Sequence, residues 1–223
     1  MKVSELVDQL AVDLNDAAIG YEFTTWTKSQ LKFYLREGML IAFDNRPDLF
    51  GETQIIKVDP CSELQDTCDC TYILRVYGQS TKDGDIIKPL KQKKSVDEVK
   101  WTGRKCLSSP KYFELTHYYI DNTTKKLWLF PKVPGGLDIY VMIECAALPD
   151  LEGDFEVTEE VRVAVYQWAL GRALEMDSEN NPTVAQIATS HFTLCFNLLK
   201  AQKELHTVIN QEIANEIRKQ RGV

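Results

Sequence analysis

Histidine is scarce in this chain: three occur in 223 residues, at His117, His191 and His206, far apart in sequence. So few imidazoles leave little for proton transfer or for a histidine-based metal centre. The eleven glycines are scattered, and only Gly135 and Gly136 are adjacent. A phosphate-cradling loop needs clustered glycines and a lysine at a helix start, and neither GxGxxG nor GxxxxGKS occurs. HExxH and GxSxG are missing as well. No apolar run reaches the roughly 18 residues needed to span a bilayer. The opening MKVSELVDQLAVDL sets Glu5, Asp8 and Asp13 inside its apolar repeat, unlike the uninterrupted apolar stretch of a signal peptide. These absences predict a cytosolic, non-enzymatic chain with no cofactor and no membrane partner.

What is present is ordinary in amount and uneven in placement. At 44% hydrophobic and 26% charged, the chain has the composition of a globular protein that buries a core without needing a metal or disulfide. The formal net charge of −7 excludes broad electrostatic attraction to nucleic acid. Residues 148–180 hold nine acids against two bases, whereas residues 81–111 hold nine bases against four acids. Two oppositely charged solvated faces would account for this, and so would electrostatic register between neighbouring subunits. The carboxylate pair Glu159–Glu160 falls at a helix start, where acids complement the helix dipole. Asp83 and Asp85 flank Gly84 in a turn-like segment. Neither pair calls for catalysis.

Six cysteines lie at 61, 68, 70, 106, 145 and 195. Cys61, Cys68 and Cys70 form C-x6-C-x-C, with Cys106 further on, whereas a structural zinc site draws two ligands from a C-x2-4-C knuckle. Reduced thiols are expected, with chelation by Cys61, Cys68, Cys70 and Cys106 as the alternative. Cys145 and Cys195 sit in apolar patterns and read as small core residues.

The fold class predicted is α+β: a four-helix bundle with an inserted antiparallel β module, either a small sandwich or a sheet, and a long C-terminal helix. Residues 1–50 supply the N-terminal bundle helices. Ser4 is a plausible N-cap for a helix over Glu5 to Asp16, with Leu6, Leu10, Val12 and Leu14 as its apolar face. Thr27-Lys-Ser-Gln30 has the form of a capping box, and Leu31, Tyr34, Leu35, Gly38, Met39 and Ala42 recur behind it at helical spacing. Gly38 costs about 1 kcal/mol against alanine inside a helix, which points to close approach of another backbone. Over residues 51–148 the period falls to two, in runs rich in β-branched and aromatic residues. Asp121-Asn-Thr-Thr124 reads as a hairpin turn, and residues 89–111 as an exposed loop or a strand with a long connection. Residues 149–223 return to helical periodicity from Thr158, break near Pro182 and then run unbroken to about Arg221. The second half of that last helix carries a narrow stripe, Leu205, Val208, Ile209, Ile213 and Ile217, which suits one partner helix rather than a core.

The order of segments resembles a known family. Trp26-Thr27-Lys-Ser-Gln-Leu31 gives a W-T-x-x-x-L helix start; FELTHYYID, LFPKVPGG and a strand ending in AALP follow; then come Val161 to Asp177 (VRVAVYQWALGRALEMD) and a last helix opening at Asn181-Pro182 and carrying Ala185, His191 and Phe192. This succession is similar to the head-to-tail adaptor (connector) proteins of tailed bacteriophages, particularly short-tailed ones. The resemblance implies a structural virion protein at the head-tail junction, assembled in the host cytoplasm. It also implies a homo-oligomeric ring, commonly of twelve copies, that joins the portal to the tail tube or nozzle. Genomic DNA would pass through the ring without sequence-specific binding. On this reading Leu205, Val208, Ile209, Ile213 and Ile217 form the portal interface. The alternatives are another tail component, a nozzle or stopper, or a non-viral metal-binding interaction protein built on the cysteines.

Overall fold

Thr27 and Gln30 cap each other reciprocally. The Gln30 amide donates to Thr27 Oγ1 at 3.2 Å, and the Thr27 amide to Gln30 Oε1 at 2.8 Å. The helix they start, α2 (Lys28–Asn45), buries Leu31, Tyr34, Leu35, Gly38, Met39, Ala42 and Phe43, the stripe its spacing predicts. The coordinates are a computed structural model. It describes residues 2–15, 17–18, 21–22, 25–67, 70–95, 113–121, 124, 126–178 and 181–220, with side chains omitted at 17–18, 21–22 and 202–220. The chain divides into two compact units, Met1–Leu49 with Pro149–Val223, and Phe50–Leu148.

In the helical unit, α1 (Val3–Asp13) starts earlier than Ser4 as cap would allow. The Lys2 amide donates to Glu5 Oε2 at 3.1 Å, and the Ser4 amide is taken by Asp154 Oδ1, 150 positions away, at 3.0 Å. A distant carboxylate thus replaces the local cap. The buried face is Val3, Leu6, Val7, Leu10 and Ala11, and Val12 lies outside it, 57% exposed. Between α1 and α2, Ala17–Ala18 (β1) and Tyr21–Glu22 (β2) pair antiparallel. Two further helices follow the β unit in the chain, α3 (Glu159–Met176) and α4 (Pro182–Gln220).

The four-helix bundle with an inserted antiparallel module does not hold. Helices α1, α2 and α3 pack on one another, and α4 packs chiefly along α3. The described part of α4 buries only Ala188, Cys195 and Leu199, while Ile187, Leu194 and Phe196 stay 44–46% exposed. A helix closing a four-helix core would bury a stripe wide enough to meet two neighbours. The second unit is also more than one antiparallel module. Its described residues form two four-stranded sheets, and one of their pairings is parallel. The class is α+β.

The described residues of this unit form eight strands: β3 (Gly51–Lys57), β4 (Leu64–Gln65), β5 (Tyr72–Ser80), β6 (Ile86–Lys88), β7 (Lys91–Gln92), β8 (His117–Asp121), β9 (Lys126–Phe130) and β10 (Tyr140–Ala146). One sheet runs β3-β10-β5-β6 and the other β4-β9-β8-β7, with β7 parallel to β8. Alternation sends Val141, Ile143 and Cys145 of β10 and Leu127 and Leu129 of β9 into one core, joined by Ile73, Val76, Leu115 and Tyr118. Strands β8 and β9 pair antiparallel up to Asp121–Lys126, and Thr124 Oγ1 donates to Asp121 Oδ2 at 2.7 Å; Asn122 and Thr123 of the expected turn lie outside the described residues. Buried Gln79 takes the place of a strand partner, accepting from the Leu115 amide at 2.9 Å and donating to the Phe113 carbonyl at 3.3 Å. Residues 96–112, most of the basic stretch read as a loop or strand, lie outside the described residues.

Candidate functional site

The last helix is anchored at its start and along one face. Asn181 Oδ1 accepts from the amides of Thr183 (3.1 Å) and Val184 (3.4 Å), so the side chain caps the helix that Pro182 opens. Phe192 lies over Trp168 with ring centroids 4.9 Å apart. Its ring fills the space at Gly171, where an added Cβ would stand 2.6 Å from Phe192 Cε1. The next anchor is a residue that the sequence pattern did not pick out. Arg46, 1% exposed, donates from Nε and Nη2 to Asp48 at 2.8 and 2.7 Å and from Nη1 to the Leu199 carbonyl at 2.9 Å. Beside it, Asn45, Arg46, Phe196, Leu199 and Lys200 line a cleft of about 310 Å³. The body thus grips α4 at Leu199. The helix then continues for a further 21 residues to Gln220.

Leu205, Val208, Ile209, Ile213 and Ile217 all fall on that continuation, and their side chains lie outside the described residues. Helical backbone through Gln220 keeps the five in the i, i+3, i+4 register that their spacing requires.

His191 has its Nδ1 2.6 Å from Gln167 Oε1, and burial pushes its pKa below the ordinary 6.5. The folded state therefore favours the neutral ring, while the unfolded chain takes up a proton as pH falls through 6.5. Stability from this group is present above that pH and is lost below it. Between about pH 7.5 and 5.5, the urea midpoint should fall further for the wild type than for His191→Gln. Parallel slopes for the two proteins would show that His191 does not contribute.

The charged stretches are built differently. In the acidic one, Asp154 caps α1, and hydrogen bonding from Ser4, from its side chain first and then its backbone, lowers the Asp154 pKa. Glu159 pairs with Arg162 within α3. In the basic one, Lys88 pairs with Glu114, while Lys91 and Lys93 stand near enough to His117 to add to the burial that lowers its pKa.

The cysteines depart from the expectation of free thiols throughout. Cys70 and Cys145 are joined as a disulfide, their Cα atoms 5.6 Å apart and 75 residues apart in sequence. Strand β10 carries Cys145 beside the start of β5, just after Cys70. Cys145 is buried as expected, and so is Cys195, whose thiol burial pushes up to about 11. Cys61 is free and exposed. Cys68 and Cys106 lie outside the described residues. No group of three or more His, Cys, Asp or Glu able to hold a metal ion occurs among the described residues. Nor is any described helix long and apolar enough to cross a membrane.

The profile of the SU10 adaptor protein family matches residues 1–211. The chain belongs to that family. It is a phage adaptor protein, a structural component of the virion. No curated protein matches it in sequence. The match takes in both units, including the two sheets, and it runs into the tail of α4 past Leu205, Val208 and Ile209. It stops short of Ile213 and Ile217.

Proposed function

We propose that this adaptor assembles as a dodecameric ring at the head-tail junction of a short-tailed phage. There it joins the portal to the tail tube or nozzle and continues the channel through which genomic DNA passes. Membership of the SU10 adaptor family carries the reading. Three features agree with it. The net charge of −7 suits a channel along which DNA slides, since phosphate affinity comes from Lys and Arg contacts. The division of charge between two stretches suits an interface repeated around a ring. The 39-residue last helix extends well past its grip at Leu199. The role is structural, and no catalytic step is assigned to any residue.

Within this reading, Leu205, Val208, Ile209, Ile213 and Ile217 dock the portal. A stripe this narrow lacks the width to seal a core and fits one partner helix. Deleting residues 204–223 should abolish co-sedimentation with purified portal. The thermal midpoint should hold, because the buried positions described on α4 end at Leu199. Undiminished portal binding by the folded truncated chain would remove the tail from the interface.

A further inference from the structure

Strand β7 ends its sheet, with β8 on one side and no strand on the other among the described residues. Residues 88–94 read KPLKQKK, four lysines and no acid. Lys88 is paired with Glu114. Lys91, Lys93 and Lys94 make no ion pair among the described residues, and His117 is the register partner of Lys91 on β8. The complementary surface is on the same chain. Residues 150–160 carry six acids and no base, and all six acids are exposed.

We propose that the lysine edge at Lys91, Lys93 and Lys94 docks against residues 150–160 of a second copy of this chain, setting the register between neighbours. The inference rests on the ring reading and deepens it. A closed ring is built from heterologous contacts, in which one surface meets a different surface of the next copy. Two surfaces of opposite sign on one chain supply that pair, and repulsion between like surfaces disfavours edge-on-edge contact. DNA is the weaker occupant, because the chain as a whole repels it. Lysines on an edge strand also discourage edge-to-edge aggregation. Glutamate at the same positions would do that equally well, so charge reversal separates protection from docking.

The test uses two full-length variants, K91E/K93E/K94E and E152K/E156K/E160K. The second spares Asp154, which caps α1, and Glu159, which pairs with Arg162. Copies of adaptor bound per portal are counted by mass photometry, after circular dichroism has shown that each variant is folded. Each variant alone should fill the portal at least tenfold less well than the wild type. An equimolar mixture should recover to within twofold, because alternating subunits restore attraction at every junction of an even-numbered ring. Recovery in the mixture also shows that the contact is made between chains, since neither variant can repair itself. Full occupancy by the edge variant alone would overturn the proposal and leave the lysines as edge protection. Loss that the mixture does not recover would also overturn it, and a duplex-DNA shift seen with the wild type but not the edge variant would then name DNA as the occupant. A wild type that adds no multiple copies to portal would sink the ring reading itself, an outcome distinct from either of these.

Discussion

Arg46→Ala should lower the stability of the helical unit by about 3 kcal/mol, at the low end of what losing one partner of a buried ion pair costs. The guanidinium is 1% exposed, and all three of its bonds go to Asp48 and to the Leu199 carbonyl. Without it, the Asp48 carboxylate, already 47% exposed, can recover water, which keeps the loss from rising further. The Leu199 carbonyl is left without that donor, and the volume of the side chain becomes a void. Arg46→Met should lose less because it keeps the volume. Arg46→Lys should not rescue, because an ammonium group cannot make the planar two-pronged contact with Asp48. The check is urea denaturation of all three variants. A midpoint for Arg46→Ala lower by more than about 1 M fits typical denaturant slopes. A drop no larger than a surface arginine gives would remove the grip on α4 from this account.

Gly78→Ala should be as damaging to the β unit, by about 3 kcal/mol, the upper range for overpacking. A Cβ at Gly78 would stand 2.3 Å from the Lys88 carbonyl oxygen and 2.9 Å from both Lys88 C and Pro89 Cα. Each of these is a backbone atom, so no rotamer change relieves the clash. The φ of +157° at Gly78 is itself a value that side-chain-bearing residues rarely adopt. Relief must come from movement of β6, which pairs with β5 through Gln79–Lys88 and Ser80–Ile86. Hydrogen exchange should show protection lost across β6 while α2 and α3 keep theirs. Unchanged protection of β6 would mean that the sheet tolerates a side chain there.

These two residues show where reading the sequence stops. The Thr27–Gln30 cap and the α2 stripe were legible because cap and stripe are local, set by residues three and four apart. Gly38 was legible too, as a helix glycine awaiting a neighbour, and the Val165 carbonyl stands 3.0 Å from where its Cβ would be. Gly78 carries no such local sign, because its constraint comes from Lys88 across a strand pair. Arg46 reads as a polar residue before Pro47 and becomes a buried clamp only when Leu199 arrives 153 positions later. The Asp154 cap on α1 and the Cys70–Cys145 bond depend on contacts equally remote. The bundle expectation failed for a related reason. Apolar spacing counts the candidates for burial on α4 but not the neighbours available to cover them, and Ile187, Leu194 and Phe196 stay exposed. The family was legible through the order of its segments, which survives the departures within individual segments.

The central claim is that this adaptor forms a ring on the portal. It is tested most directly by quantitative mass spectrometry of purified tailed particles, comparing its peptides with portal peptides in the same sample. The account predicts as many copies of the chain as of the portal. A different but constant ratio would place it further along the tail, and its absence from the particles would contradict the account altogether.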